Sequence, residues 1–317
     1  MSKLSNNQGR GYEYICLNTL CSEISKVRLA QIDKNSSYLA AQQAWNTLSV
    51  EEQRTYTTSA EAAVKSVFEL EPLMIEQGED IVELYIQADS QGKIGDVRDI
   101  IVQRTDISWE IGFSIKHNHF AVKHSRLSPT IDFGKIWFDS PCSDAYWATV
   151  TPVFDYLKGE KVKGTFFRDL PNKESNVYIP IVQAFIDEIQ RQYEIHKDIP
   201  AKMVEYLLSR YDFYKIISID TKRITQIQSY NLHGTLNKPT RSTQPTILIP
   251  QATLPTRIVN IGFVPERHNT AELYMDGGWQ FTFRIHNAED IATPSLKFDM
   301  QIVGMPTTAI TINCLWN

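Results

Sequence analysis

Between Gly95 and Asn118 the chain reads GDVRDIIVQRTDISWEIGFSIKHN, two strand-like runs joined by a short polar turn. The first run, Asp99 to Gln103, is short, β-branched and apolar. The second sets Glu110, Gly112, Ser114 and Lys116 against Ile111, Phe113 and Ile115, the period-two alternation of a half-buried strand. Thr105 and Asp106 supply a turn. Antiparallel folding about it places Asp99 opposite Ser114, within a residue or so of register. Lys116, two residues on, shares the face of Ser114. An acid on one strand and a Ser-x-Lys on its partner therefore converge.

Metal-assisted phosphodiester cleavage needs that convergence. A carboxylate holds a divalent cation, which polarises the phosphoryl oxygen and acidifies a water, while a fixed ammonium orients that water or steadies the developing charge. Charges at strand ends are more often simply solvated, but three details argue against that here. Asp96 and Asp99 crowd Arg98, Gly112 clears space on the functional face, and no acid follows Lys116 until Asp132.

Larger stretches carry a resemblance. The segments NNQGRGYEYICL, GDVRDIIV, WEIGFSIKHNHFAVKHSRLS, YDFYKIISID, YNLHGTLNKP, GWQFTFRIHNA and PSLKFDMQIVG span nearly the whole chain. They resemble the PD-(D/E)XK nucleases and, more narrowly, the HaeIII family of type II restriction endonucleases. The resemblance implies an α/β (α+β) fold, a restriction-endonuclease-like mixed sheet flanked by helices. It also implies magnesium-dependent, sequence-specific cleavage of double-stranded DNA at GGCC, leaving 5′-phosphate and 3′-hydroxyl ends, and a functionally paired cognate DNA methyltransferase. A homodimer is compatible with it. A non-cleaving DNA-binding module on the same fold, or a structure-specific DNA nuclease, are the rival readings.

One departure needs an account. The superfamily's usual acid before x-Lys is Ser114 here, so an acid must come from elsewhere. Glu110 shares the face but lies four residues away, about 13 Å at the strand rise, and reads as a solvated or structural carboxylate. Glu13 is the stronger candidate. In a helix from about Gly11 to Ile24 it joins the stripe of Cys16, Leu17, Leu20 and Ile24, and Arg10-x-x-Glu13 resembles the early helix whose glutamate completes the metal site in this superfamily. The expected catalytic set is Asp99, Lys116, Glu13 and Ser114, with Asp99, Glu13 and Asp96 as metal ligands.

A chain of 317 residues with 42% hydrophobic composition can bury a substantial core in one large or two modest domains. Met1 to Gln8 is polar and no apolar run approaches membrane-spanning length, so a soluble cytoplasmic protein with no membrane partner is expected. Cys16, Cys21, Cys142 and Cys314 show no metal-site spacing and read as free thiols. The net charge of −5 does not exclude DNA, because phosphate binding depends on local charge. From Lys116 to Arg126 the run has no acid, and Asn118, His119, Lys123 and Arg126 are candidate DNA contacts.

Residues from about 11 to 75 read as two or three helices closed by Pro72, and Ile81 to Gln87 as a strand. Helices are expected near Ser143–Leu157, Ile179–His196 and Ala201–Tyr211. Strands are expected at Phe213–Ile219, Ile224–Gln228, Arg257–Val264, Trp279–His286 and Leu296–Ile302, with a loop over Pro239–Pro255. The expected division is a catalytic portion over 1–210 and a β-rich DNA-recognition portion over 211–317, with a shared sheet left open. In the latter, Arg284, His286 and Asn287 are candidates for base recognition and Lys297 for a phosphate contact, since arginine reads guanine through O6 and N7.

Two other motifs compete. Pro141-Cys142 resembles the nucleophile loop of cytosine C5 methyltransferases, but no glycine-rich cofactor turn accompanies it, and a buried thiol is the better reading. His117 and His119 flank Asn118. Alternation turns His117 away from Lys116, so phosphate or groove contact is favoured over a catalytic histidine.

Overall fold

A computed structural model describes residues 3–88, 96–120 and 123–316. Gly95, at the head of the hairpin segment, lies outside them, as does the side chain of Lys123. The helices in chain order are α1 (Lys3–Ile24), α2 (Ser36–Asn46), α3 (Val50–Leu70), α4 (Pro72–Ile75), α5 (Phe133–Phe138), α6 (Asp144–Lys163), α7 (Ile179–Ile195) and α8 (Ile199–Leu207). The strands are β1 (Ala30–Ile32), β2 (Val82–Ile86), β3 (Ile100–Arg104), β4 (Trp109–His117), β5 (Lys123–Leu127), β6 (Phe213–Ile219), β7 (Ile224–Tyr230), β8 (Ile258–Phe263), β9 (Thr270–Met275), β10 (Gln280–Asn287), β11 (Leu296–Gly304) and β12 (Thr311–Leu315).

The fold is mixed α and β, with two sheets, and the chain divides into two compact units. The first comprises Met1–Phe120, Ser209–Ala252 and Thr307–Asn317, the second Ala121–Leu208 and Thr253–Pro306. A single boundary near residue 210 does not describe this division. The reason is pairing: β6 lies parallel to β4, and β7 and β12 continue outward, so residues beyond 210 return to the sheet of the hairpin.

In the first unit seven strands run in the order β1-β2-β3-β4-β6-β7-β12. One face of β4, formed by Ile111, Phe113 and Ile115, shares a core with Tyr214 and Ile216 of β6 and with α1 and α3. From α1 come Tyr12, Cys16, Leu17, Leu20 and Ile24, the expected stripe. The helix nevertheless begins well before Gly11. That glycine is a contact point, since a Cβ there would meet Leu48 Cδ1 at 2.7 Å. Helix α3 starts on a capping box in which Ser49 and Glu52 exchange side-chain and backbone bonds. Pro72 ends α3 and opens the one-turn α4, where its missing N–H costs nothing.

In the second unit five strands run β5-β11-β10-β9-β8. One face carries Phe281, Phe283, Ile285, Leu296, Phe298 and Met300, all buried, with Phe185 of α7 at 4.9 Å from Phe298 and 5.2 Å from Phe283. The alternate residues form a polar face. Strands β1, β5, β9 and β12 and helix α5 were not expected. They are short, and β5 reads KHSRL, a sequence whose basic residues suggest surface loop rather than strand.

Candidate active site

The hairpin folds in the expected register. Ile100 pairs with Phe113 and Ile101 with Gly112, and the N–H of Asp99 donates to the carbonyl of Phe113 at 2.7 Å. Asp99 thus stands opposite Ser114, just outside β3. Its Oδ2 accepts from the backbone N–H of Ile115 at 2.6 Å, from Lys116 Nζ at 2.9 Å and from Ser114 Oγ at 3.3 Å. Both side chains of the Asp99–Lys116 pair keep 25% of their surface exposed. The corner is fixed on strands and open to solvent.

Burial alone would lower the pKa of Lys116, but Asp99 and Glu13 more than offset it, and the ammonium is held above the ordinary lysine value. Lys116 is therefore a persistent cation. The α1 carboxylate of Glu13 adds to that shift through space, after the larger effect of Asp99. Glu13 lines a cavity of about 210 Å³ with Arg10, Ser36, Ser37, Ala40 and Ile86. That cavity adjoins Asp99, because Ile86 pairs with Ile100 and the N–H of Gln87 donates to the Asp99 carbonyl. Glu110, by contrast, gives Oε1 to Arg98 Nη1 at 2.6 Å, a structural use.

Asp96 does not join the corner. Arg98 takes both its oxygens, Nε to Oδ1 and Nη2 to Oδ2, each at 2.8 Å, and this pair is buried. A buried guanidinium requires such compensation. Gly112 also does something other than clear space for a ligand: a Cβ there would meet Arg98 Cδ at 2.0 Å, so the glycine makes room for the arginine. The guanidinium in turn lies 4.2 Å from the centre of the Tyr211 ring.

Sequence reasoning missed Lys215. It sits on β6 in register with Ser114, is 2% exposed, and donates from Nζ to the carbonyl of Phe120 at 2.7 Å. Desolvation, with repulsion from Lys116 added and Asp99 opposing, pulls its pKa down to about 7. The available signal was a lysine inside the otherwise apolar run FYKIISI.

His117 faces away from Lys116, as alternation requires. Its Nε2 lies 2.6 Å from Asp220 Oδ2 and its Nδ1 3.1 Å from Tyr56 OH, so both ring nitrogens are engaged in joining β4 to α3 and to the end of β6. Asn118, at φ 50°, donates to Asp220 Oδ2 and accepts from the Asp220 N–H, both at 3.0 Å. These two residues form a latch within the fold. His119 is exposed. The basic run is divided, since β5 and Arg126 belong to the second unit.

On the polar face of the five-stranded sheet, Arg126, Lys297 and His286 form one row across β5, β11 and β10, and Asp299 and Arg284 pair in the next. Arg126 Nη1 donates to Ser295 Oγ at 3.3 Å. Asp299 Oδ2 accepts from Arg284 Nη2 at 3.1 Å and lies 3.3 Å from His286 Nδ1. Asn287 is otherwise occupied. Its Nδ2 donates to the carbonyls of Glu289 and Ile291 at 2.6 Å and its Oδ1 accepts from Thr293 at 2.8 Å, so its amide closes the loop beyond β10 instead of presenting itself to a base. Cys142 is a buried thiol accepting the Gly134 N–H, with its pKa pushed up by burial, and is no nucleophile.

Comparison with known proteins identifies the family. A family model described as HaeIII restriction endonuclease matches residues 9–306. The chain is 50% identical over 317 residues, 100% of its own length and 99% of the relative's, to a protein from Haemophilus aegyptius named type II restriction enzyme HaeIII. No solved structure matches it.

Proposed function

Because the chain belongs to the HaeIII family of type II restriction endonucleases, we propose that the corner of Asp99, Ser114 and Lys116 is where it hydrolyses double-stranded DNA, with GGCC as its target. The observation that carries this reading is the 2.9 Å contact between Lys116 Nζ and Asp99 Oδ2 on paired strands. Strand backbones hold both groups, so little reorganisation is needed during reaction.

Type II restriction enzymes generally use a divalent metal. Asp99 suits one, since the three donors at the corner all meet Oδ2 and leave Oδ1 to a ligand. Among the described residues no group of three or more acid, His or Cys side chains could hold a metal. A cation resting on Asp99 and Glu13 alone would keep much of its water shell, which is the habit of magnesium. When bound, it supplies charge to the phosphoryl oxygen and acidifies a water.

The chain's own groups do the rest. Lys116, held protonated by Asp99 and Glu13, steadies the charge that builds on the phosphoryl oxygens and orients the attacking water. Ser114 and the Ile115 N–H fix the Asp99 carboxylate. Water oxygen bonds to phosphorus as one of its protons passes to solvent, the bond from phosphorus to O3′ breaks, and O3′ takes a proton from solvent and leaves as a hydroxyl. The products are a 5′-phosphate and a 3′-hydroxyl.

The polar face of the five-stranded sheet is the proposed recognition surface. Arg284 and His286 are its base-reading candidates and Lys297 and Arg126 its phosphate contacts; Lys123, in register with Met300 of the other face, and His119, in the first unit, are phosphate-contact candidates outside it. A homodimer would match the twofold symmetry of GGCC. A cognate DNA methyltransferase would protect host sites, and both would act in the cytoplasm. Among the described residues no helix is long and apolar enough to cross a membrane.

Incubation of the purified protein with unmethylated plasmid and magnesium tests the reading. Discrete fragments ending within GGCC are expected. Nicks only at branched DNA, or retarded but intact plasmid, would replace it with a structure-specific nuclease or a binding module.

A further inference from the structure

Asp299 stands where an acid is least expected. In the row of Arg126, Lys297 and His286, and in the adjoining row of Asp299, Arg284 and Thr270, it is the only acidic residue; Glu272, in register with Thr282, lies in the row beyond. A negative charge on a surface that meets phosphates weakens binding to every sequence. It is also costly to desolvate: the Asp299 side chain is 11% exposed, against 56% for Arg284. A carboxylate sunk beneath an exposed arginine does little for general affinity, but it can aim the arginine.

The geometry supports that use. Arg284 and Asp299 are direct cross-strand partners, so their side chains leave the same face side by side. Asp299 Oδ2 takes one guanidinium nitrogen, Nη2, at 3.1 Å, and the same oxygen approaches His286 Nδ1 at 3.3 Å. Guanidinium is planar and carries five donors in a fixed fork. Holding one nitrogen restricts the orientations of the group and leaves the remaining donors to face outward. Two parallel donors in a fixed plane are what guanine O6 and N7 require.

We propose that Asp299 is a specificity-determining positioning residue: it orients Arg284, and with it His286, so that the guanidinium is presented ready for a guanine edge. The proposal rests on the reading of this face as the recognition surface and adds a division of labour to it. Arg284 touches the base, while Asp299 removes the rotamers from which Arg284 would serve phosphates and wrong bases equally well.

The test uses the full-length protein in calcium, with competition binding between a duplex that the wild type cuts and duplexes differing from it by one base pair. Arg284→Ala is expected to narrow the preference by about tenfold or more. Asp299→Asn, which keeps the shape and removes the charge, is expected to narrow it severalfold while tightening binding to random duplex, a combination that mere loss of fold would not give. Added to Arg284→Ala, it should narrow the preference no further. Arg284→Lys keeps the charge near Asp299 but loses the fork, and should behave like Arg284→Ala in preference while retaining affinity. If Asp299→Asn misfolds, that variant still decides the matter. Unchanged preference in Asp299→Asn, or full preference in Arg284→Lys, overturns the proposal while leaving the recognition face standing. Unchanged preference in Arg284→Ala overturns both.

Discussion

Each unit of this protein holds a carboxylate against a cation on paired strands, and the surroundings of the two pairs differ. In the first, Asp99 and Lys116 are equally exposed at 25%, and the carboxylate oxygen that meets the lysine also accepts a backbone N–H from the same strand. Neither partner can swing far. In the second, Asp299 is nearly buried at 11% and Arg284 extends into solvent at 56%. There the acid is sunk in the sheet, and the cation it contacts is presented. A group that must meet charge appearing at one point in a transition state gains from the first arrangement. A group that must meet a groove of variable chemistry gains from the second.

The largest effect should come from breaking the first pair. Lys116→Ala or Asp99→Ala should lower the cleavage rate by roughly a thousandfold or more, since each removes transition-state stabilisation. Binding to cognate duplex in calcium should survive. Retained cutting by Lys116→Ala, followed on plasmid in single turnover, would remove the corner from the chemistry.

Glu13→Gln sharpens the same side. It should raise the magnesium needed for half-maximal cutting by about tenfold or abolish cutting, whereas Glu110→Gln, whose carboxylate serves Arg98, should change it little. The reverse ranking in a magnesium titration would exchange their roles.

On the second side the effects are smaller. Loss of a bidentate arginine–guanine contact in Arg284→Ala should cost roughly 1–3 kcal/mol of discrimination, read as the ratio of cognate to random affinity. Lys297→Ala should leave that ratio alone and reduce the slope of log affinity against log salt by about 1.

A separate effect, on stability and not on cutting or discrimination, concerns Lys215. Its folded pKa, about 7, lies below the ordinary lysine value, so between these two the unfolded chain binds more protons and stability rises with pH. Melting temperatures of metal-free wild type and Lys215→Met should therefore shift toward the wild type's favour as pH is raised from about 7 to about 10. A constant difference would mean that the amine is not depressed.

What the sequence revealed follows the range over which its signals act. The β3–β4 register was legible because turn residues and alternation act within a score of residues, and the orientation of His117 followed from the same alternation. The stripe of α1 was legible, though its start was not, because Gly9 and Gly11 resemble breakers until α2 is seen against Gly11. Lys215 was not legible as a neighbour of Ser114, since parallel pairing across an intervening unit leaves no local mark. Asn287 and Asp96 had suitable chemistry for their expected roles. Each is occupied by partners, Thr293 and nearby carbonyls for one and Arg98 for the other, which only folded geometry can disclose.

The parallel pairing of β4 with β6 also sets an order of events during synthesis. The β3–β4 hairpin, which carries Asp99 and Lys116, is synthesised before any of Asn118 to Asp212 has been made. At the usual pace of translation, the outer edge of β4 waits roughly 5–20 s for β6 to arrive. During that interval an apolar strand stands unpaired on one side, a template for another chain. Even then β7 remains an edge until β12 covers it. The nascent chain thus carries the residues proposed to cut DNA well before it has the strands that complete their sheet.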